Sequence, residues 1–225
     1  MQLAVLPAIP ANTSEMDIKE TNISAALFDL DGVIIDTEPQ YTEFWATMGR
    51  EFKLPDANFA AAVKGQTLTY IFDTYFPEAS QREFLRERLC EFERHMDYPY
   101  IPGAVRFVEE LREKSIPTAV VTSSNQAKMA QVYAAHPELK QFFTAILTSE
   151  DTPRSKPAPD CYLIAAERLR CPIRSCVVFE DSINGLRAGR DSGAFVIGLS
   201  TSNPEAVIAP LSDMVIPHFE GFILP

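Results

Sequence analysis

Leu27-Phe28-Asp29-Leu30-Asp31-Gly32-Val33 carries an apolar run into two carboxylates two residues apart and then a glycine. The stretch from Ala25 to Leu30, closed by Asp and Gly, reads as a buried parallel strand, and the carboxyl ends of such strands are where open α/β sheets place their chemistry. Strand alternation points Asp29 and Asp31 the same way. Two carboxylates that close repel, so the pair either shares a proton or takes up a divalent cation. A hard cation such as Mg2+ prefers carboxylate and water oxygens and would neutralise a phosphate as well. Such a pair suits phosphoryl transfer, one carboxylate attacking phosphorus while the other handles protons. The alternative is an ordinary Asp-x-Asp-Gly turn at the end of a strand.

Three later segments bear on that choice. Pro117 to Thr122 is a second apolar strand ending in a hydroxyl, followed by Ser123, Ser124 and Asn125. These groups either donate to a phosphate or cap a helix over Gln126 to Ala135. In Ser155-Lys156-Pro157-Ala158-Pro159-Asp160, prolines hold a single lysine before a helix beginning near Cys161. A lysine there can pair with a nucleophilic carboxylate and with the transferring phosphoryl group, or simply be solvated. Cys176 to Glu180 is another buried strand, ending in the acids Glu180 and Asp181, which either complete a metal site or cap the helix after Ser182.

The order of these four segments, each at a strand end, resembles the haloacid dehalogenase superfamily of phosphohydrolases, whose four motifs match Asp29-x-Asp31-Gly32, Thr122, Lys156 and Glu180-Asp181. The resemblance spans residues 23 to 217, and 29 to 37, 155 to 160 and 180 to 182 look like the β-phosphoglucomutase-like branch. It implies that Asp29 is the nucleophile forming an aspartyl phosphate and Asp31 the general acid and then base. Thr122 and Lys156 would hold the phosphoryl oxygens, with Ser123, Ser124 and Asn125 beside them. Mg2+ would be bound by Asp29, the backbone carbonyl of Asp31, Asp181, and Glu180 directly or through water.

The 225 residues suffice for one large domain or a domain with an insert, and the formal net charge of −11 gives no support to nucleic acid or anionic membrane as partner. Cys90, Cys161, Cys171 and Cys176 have neither metal-ligand spacing nor a disulfide framework, which is expected of free thiols in a reducing cytoplasm. Residues 1 to 21 lack the basic segment and long apolar core of a secretory signal. They read as an extension outside the enzyme, with Met16 as an alternative start. No window reaches the length of a membrane span. A monomer acting on a small phosphorylated metabolite is expected.

Strand signals at Ala25–Leu30, Pro117–Thr122, Ala145–Thr148, Cys176–Glu180, Ala194–Gly198 and Asp213–Ile216 alternate with helical patterns, which predicts a doubly wound, mostly parallel, Rossmann-like α/β sheet. From Thr37 to about Tyr100 the pattern is helical. This predicts a cap domain over 37–100, inserted into a catalytic core of 22–36 and 101–225, with Thr37–Pro39 and Pro99–Pro102 as hinge. Phe44, Trp45, Phe59 and Phe72 are read as cap core, and the charged stretch Gln81–Arg94 as a solvated helix face. Of the three histidines, His95 lies near enough to the cap's end to reach a substrate.

Lys64-Gly65-Gln66-Thr67 matches the family's cap loop that faces the active site, the alternative being an ordinary interhelical turn. The chain departs from β-phosphoglucomutase itself, placing Tyr41 or Gln40 where the mutase pattern has a linker histidine and Leu68 where it has a cap-loop arginine for a second phosphate. These departures favour hydrolysis of a sugar phosphate over isomerisation. Pyrophosphate hydrolysis and a non-catalytic phosphometabolite-binding role remain the other readings.

Overall fold

A computed structural model describes residues 23–56 and 58–224, so the expected extension over 1–21 lies outside the described residues. Six strands form a single parallel sheet: β1 (Ala25–Phe28), β2 (Thr118–Val121), β3 (Ala145–Leu147), β4 (Cys176–Glu180), β5 (Phe195–Leu199) and β6 (Met214–Ile216). Their spatial order is β3-β2-β1-β4-β5-β6, with β1 hydrogen-bonded to both β2 and β4. Each expected strand is present. The first is shorter than expected, because after Phe28 the carbonyl of Leu30 turns to accept the N–H groups of Val33, Ile34 and Ile35.

Alternation along the strands divides the core into two layers. Ala26, Phe28, Val120, Val177 and Phe179 face one side, covered by α5 (Ala104–Glu113), α6 (Gln126–Ala135) and α7 (Leu139–Phe142). Ala25, Leu27, Ala119, Val121 and Val178 face the other, covered by α8 (Asp160–Arg168) and α9 (Ile183–Ser192), with the short α10 (Glu205–Ile208) beside them. Side-chain caps fix where α6 and α9 begin: Asn125 accepts from the Lys128 N–H at 2.9 Å and Ser182 from the Gly185 N–H at 3.0 Å.

Between β1 and α5 the chain makes four further helices, α1 (Glu38–Glu51), α2 (Phe59–Ala62), α3 (Leu68–Tyr75) and α4 (Ala79–His95). They enclose a core of their own built on Phe44, Trp45, Met48, Phe59, Phe72 and Phe76. The two connections to the sheet run side by side, tied by Asp36 N–H to Pro99 C=O (2.7 Å) and Ile101 N–H to Ile34 C=O (2.9 Å). The solvated-face reading of Gln81–Arg94 needs correction on one side of α4, where Leu85, Leu89 and Glu93, spaced four apart, are buried. The four cysteines are free thiols, and no helix among the described residues is long and apolar enough to cross a membrane.

The ring of Phe28 stacks on Phe179 at 4.7 Å and meets Phe107 and Phe143 edge-on at 6.2 and 6.0 Å, directly beneath the strand end that bears Asp29. Phe28→Ala leaves an aromatic-sized void that this parallel core cannot close. It is expected to cost about 3–5 kcal/mol, read as a lower denaturant midpoint at unchanged slope.

Candidate active site at the carboxyl ends of the central strands

The central strands β1, β2 and β4 end side by side, and the residues that follow them converge on one pocket under the helical insert. Lys156, delivered by the loop between β3 and α8, is the buried cation at its base. Its ammonium donates to Asp29 Oδ1 (2.6 Å), Glu180 Oε1 (2.6 Å) and the Val121 carbonyl (3.1 Å), so one side chain ties together the ends of all three strands. Glu180 in turn is fully engaged. Its Oε1 also accepts from the Tyr162 hydroxyl (3.0 Å), and its Oε2 accepts from the N–H groups of Asp181 (2.9 Å) and Ser182 (3.0 Å) and from the Ser182 hydroxyl (3.1 Å). With five donors on two oxygens, Glu180 orients Lys156 and the following turn rather than offering a free oxygen.

Asp181 is the opposite case. Both of its carboxylate oxygens are buried and neither has a hydrogen-bond partner among the described residues. Carboxylate oxygens of Asp29, Glu180 and Asp181 lie within 4.8 Å of one another. An unpartnered buried carboxylate is costly, and a donor set made only of oxygens suits a hard divalent ion. The residues present therefore fit a cation of the Mg2+ class held by Asp29 and Asp181. Gly32 makes room for that carboxylate: it has φ +77°, and a Cβ built there would lie 2.2 Å from Asp181 Oδ2.

The electrostatics point the same way. Burial, reinforced by Glu180 and Asp31 and opposed by Lys156, pushes the Asp29 carboxyl up to about 7. Burial, with Glu180, Glu38 and Asp29 nearby, holds Asp181 well above the usual carboxylate range. For Lys156, burial works against the charge, but Asp29 and Glu180 outweigh it and its pKa stands well above the ordinary value. One buried ammonium among three carboxylates leaves an excess of negative charge that a metal ion would cancel.

Asp31 sits across the pocket in a different cage. Its Oδ1 accepts from Thr37 and pairs with the buried ammonium of Lys128, and its Oδ2 accepts from the Ser124 hydroxyl at 3.0 Å. Thr122, at the end of β2, accepts the Ser124 N–H on its hydroxyl (3.0 Å) and, with Ser123, Ser124 and Asn125, lines the pocket. Asp29, Asp31, Thr122 and Asp181 thus come together as expected, with Lys156 bonded beneath them.

Lys128 went unnoticed in the sequence. A signal was available: a lysine in the first turn of α6 opposes the helix dipole, and side chains at that position lean back toward the strand ends. Glu38, Tyr41 and Glu93 also line the pocket. Lys128 stands 4.3 Å over the Tyr41 ring, whose hydroxyl donates to Glu93 Oε1 at 2.8 Å. Trp45 belongs to the insert's core and lines the pocket as well. His95 does not reach the site, being exposed and bonded to the Glu91 carbonyl on its own helix.

The loop Lys64-Gly65-Gln66-Thr67 is clasped onto the sheet. The Gly65 carbonyl accepts from Ser123 Oγ (3.0 Å), the Lys64 carbonyl accepts from Asn184 Nδ2 (3.3 Å), and the hydroxyls of Thr67 and Ser155 share a hydrogen bond of 2.9 Å. Gly65 has φ +70°, and a Cβ there would lie 2.5 Å from Ser182 Oγ, so glycine permits this contact. The Ser123 hydroxyl is therefore spent on the clasp and not held toward a phosphate. Lys64 turns its ammonium to the Ser202 carbonyl (3.4 Å) and to Glu38 (3.6 Å).

A family model described as haloacid dehalogenase-like hydrolase matches residues 23–193, from the strand before Asp29 through the helix after Asp181. The chain belongs to this family. It is 29% identical over 202 residues to the bifunctional riboflavin kinase/FMN phosphatase of Arabidopsis thaliana, a match covering 86% of this chain and 52% of the plant protein, so the chain spans about half the length of that relative. It is 30% identical over 180 residues to hexitol phosphatase A of Escherichia coli (strain K12), covering 77% of this chain and 82% of the relative. The crystal structure of β-phosphoglucomutase from Clostridium difficile superposes with a TM-score of 0.72 at 18% identity, covering 89% of this chain and 93% of that one, a likeness of fold.

Folded Asp29 keeps its proton up to about pH 7, whereas an ordinary Asp loses it near 3.8. The folded state therefore holds a proton that the unfolded chain releases between those values, and the stability this contributes is lost as pH rises through that window. Metal-free protein is expected to lose roughly 5 °C in Tm between pH 5 and pH 8. Added Mg2+ is expected to raise Tm more at pH 8 than at pH 5, because Asp29 has already given up its proton there. Equal shifts at both pH values would count against a metal bound by these carboxylates.

Proposed function

We propose that this protein is a Mg2+-dependent phosphatase that hydrolyses a small phosphomonoester, a sugar phosphate, through an aspartyl phosphate on Asp29. The observation that carries the proposal is the pairing of Asp29, held at 2.6 Å by Lys156, with the Asp181 carboxylate, which has no hydrogen-bond partner among the described residues, in one pocket.

Asp29 attacks phosphorus with its carboxylate oxygen, and the bond from phosphorus to the ester oxygen breaks. Asp31 gives that leaving oxygen its proton. Once the alcohol has left, Asp31 takes a proton from water, the water attacks phosphorus, and the bond from Asp29 to phosphorus breaks to release phosphate. Asp29, Asp181 and the backbone carbonyl of Asp31 would hold Mg2+, which when bound neutralises phosphoryl charge and lets an anionic carboxylate approach an anionic ester. Lys156 holds Asp29 and a phosphoryl oxygen, and the hydroxyl of Thr122 with nearby backbone N–H groups holds the others, the Ser124 hydroxyl being committed to Asp31. Little covalent chemistry beyond one attack is required, so positioning and charge neutralisation supply most of the barrier reduction.

Hydrolysis is favoured over phosphomutase action by what lines the roof of the pocket. A mutase must retain a second phosphate while its intermediate turns over. Leu68 supplies only an apolar wall, and Lys64 and Lys128 are already paired with Glu38 and Asp31. The reading extends to a cytoplasmic monomer, in keeping with its free thiols.

Purified protein is expected to release phosphate from p-nitrophenyl phosphate and from hexose, pentose or polyol phosphates only when Mg2+ is present. Asp29→Asn should lower kcat by about 10³-fold or more while retaining the fold by circular dichroism. Activity retained in that variant overturns Asp29 as nucleophile. Glucose 6-phosphate formed from β-glucose 1-phosphate with a bisphosphate primer, without phosphate release, overturns hydrolysis in favour of the mutase.

A further inference from the structure

Beyond the phosphate-holding floor, the pocket has a roof contributed by the helical insert. Trp45, Val63, Leu68, Ile71 and Leu89 make an apolar wall. Three acceptor side chains, Glu38, Gln66 and Glu93, are set into that wall beside the donors of Thr42, Tyr41 and the Gln66 amide. Among the described residues, Gln66 Oε1 is buried without a hydrogen-bond partner, Glu38 Oε2 meets only the Lys64 ammonium at 3.6 Å, and Glu93 Oε1 accepts from the Tyr41 hydroxyl. The two ammonium groups within reach offset this only in part, since Lys64 and Lys128 stand against three carboxylates, Glu38, Glu93 and Asp31. A buried acceptor left unpaired costs free energy that a ligand donor recovers, and a buried carboxylate repels a second anion in the same low-dielectric space.

From this we infer that the leaving group is an uncharged, hydroxyl-bearing alcohol with one apolar face, and that Glu93 excludes esters carrying a second negative charge. The hydroxyls donate to Gln66 Oε1 and the carboxylates of the roof, while the carbon skeleton lies against Trp45 and Leu68. This deepens the phosphatase reading and rests on it. Specificity of this kind comes from a repulsive element as much as from an attractive one, and Glu93 supplies the repulsion.

Isosteric pairs that exchange a terminal CH2OH for a carboxylate read the inference directly: glucitol 6-phosphate against 6-phosphogluconate, and glycerol 3-phosphate against 3-phosphoglycerate. For at least one pair, kcat/KM is expected to be about 100-fold higher for the neutral ester. Glu93→Gln, which keeps shape and the hydrogen bond to Tyr41, should narrow that ratio by about 10-fold, through a gain in kcat/KM for the carboxylate ester relative to its neutral twin. A merely structural Glu93 would lower all substrates together and leave the ratio unchanged. If neither neutral ester is hydrolysed faster than its carboxylate twin, or if Glu93→Gln leaves the ratio where it was, the inference falls while turnover of p-nitrophenyl phosphate keeps the phosphatase reading intact. No turnover of p-nitrophenyl phosphate with Mg2+ overturns the phosphatase reading itself.

Discussion

The ammonium of Lys156 is the constraint around which the site is arranged. A lysine taken out of water is unfavourable unless its charge is met, and here Asp29 and Glu180 meet it from adjacent strands. In doing so it fixes the Asp29 carboxylate against the floor of the pocket, while Asp181 has no hydrogen-bond partner among the described residues. The geometry is affordable only because the strands beneath are themselves rigid: Phe28 and Phe179, the residues before Asp29 and Glu180, stack on one another at 4.7 Å. Packing in the sheet thus becomes precision at the pocket, since the strand ends cannot shift apart without opening that aromatic stack.

Charge is distributed so that the two aspartates of the first motif experience different surroundings although only Leu30 separates them. Asp29 faces Lys156 and the unpartnered Asp181, whereas Asp31 is turned toward Lys128, Thr37 and Ser124. Simple strand alternation would have placed them alike. The turn after Phe28, with Gly32 at φ +77°, separates them instead and brings both into one pocket. Two carboxylates whose environments differ this much are suited to separate roles, one attacking and one moving protons.

The sheet was legible in the sequence because each strand of a two-sided parallel sheet is a short continuous apolar run, and all six runs were there to be read. The floor of the site was legible for a related reason: motif residues at strand ends are placed by the sheet, whose geometry leaves them few alternatives. Its roof was not. Glu93 lies in a helix whose other charges are solvated, and only its four-residue spacing from Leu89 and Leu85 distinguishes it. Trp45 is part of a hydrophobic core and part of a pocket wall, and residue type cannot separate those uses. Lys128 required knowing which way the first turn of α6 points, which depends on the cap at Asn125 and on a fold already assembled.

The clasp between the insert and the sheet joins these two halves. Ser123 bonding Gly65, Thr67 bonding Ser155 and Asn184 bonding Lys64 are all neutral hydrogen bonds at the rim of the pocket. Each contributes about 1 kcal/mol net, so together they hold the roof down without fixing it irreversibly. The salt bridge of Lys64 with Glu38 spans only the insert and its linker, and adds charge neutralisation at the roof rather than a further link to the sheet. In the proposed phosphatase, a roof held by a few weak, exchangeable bonds would open for the ester to enter and the alcohol to leave and would admit the water that attacks the acyl phosphate, while the floor stays where Lys156 and the stacked phenylalanines hold it. Substrate choice can therefore vary through the insert's wall residues without disturbing the charge arrangement on which phosphoryl transfer depends.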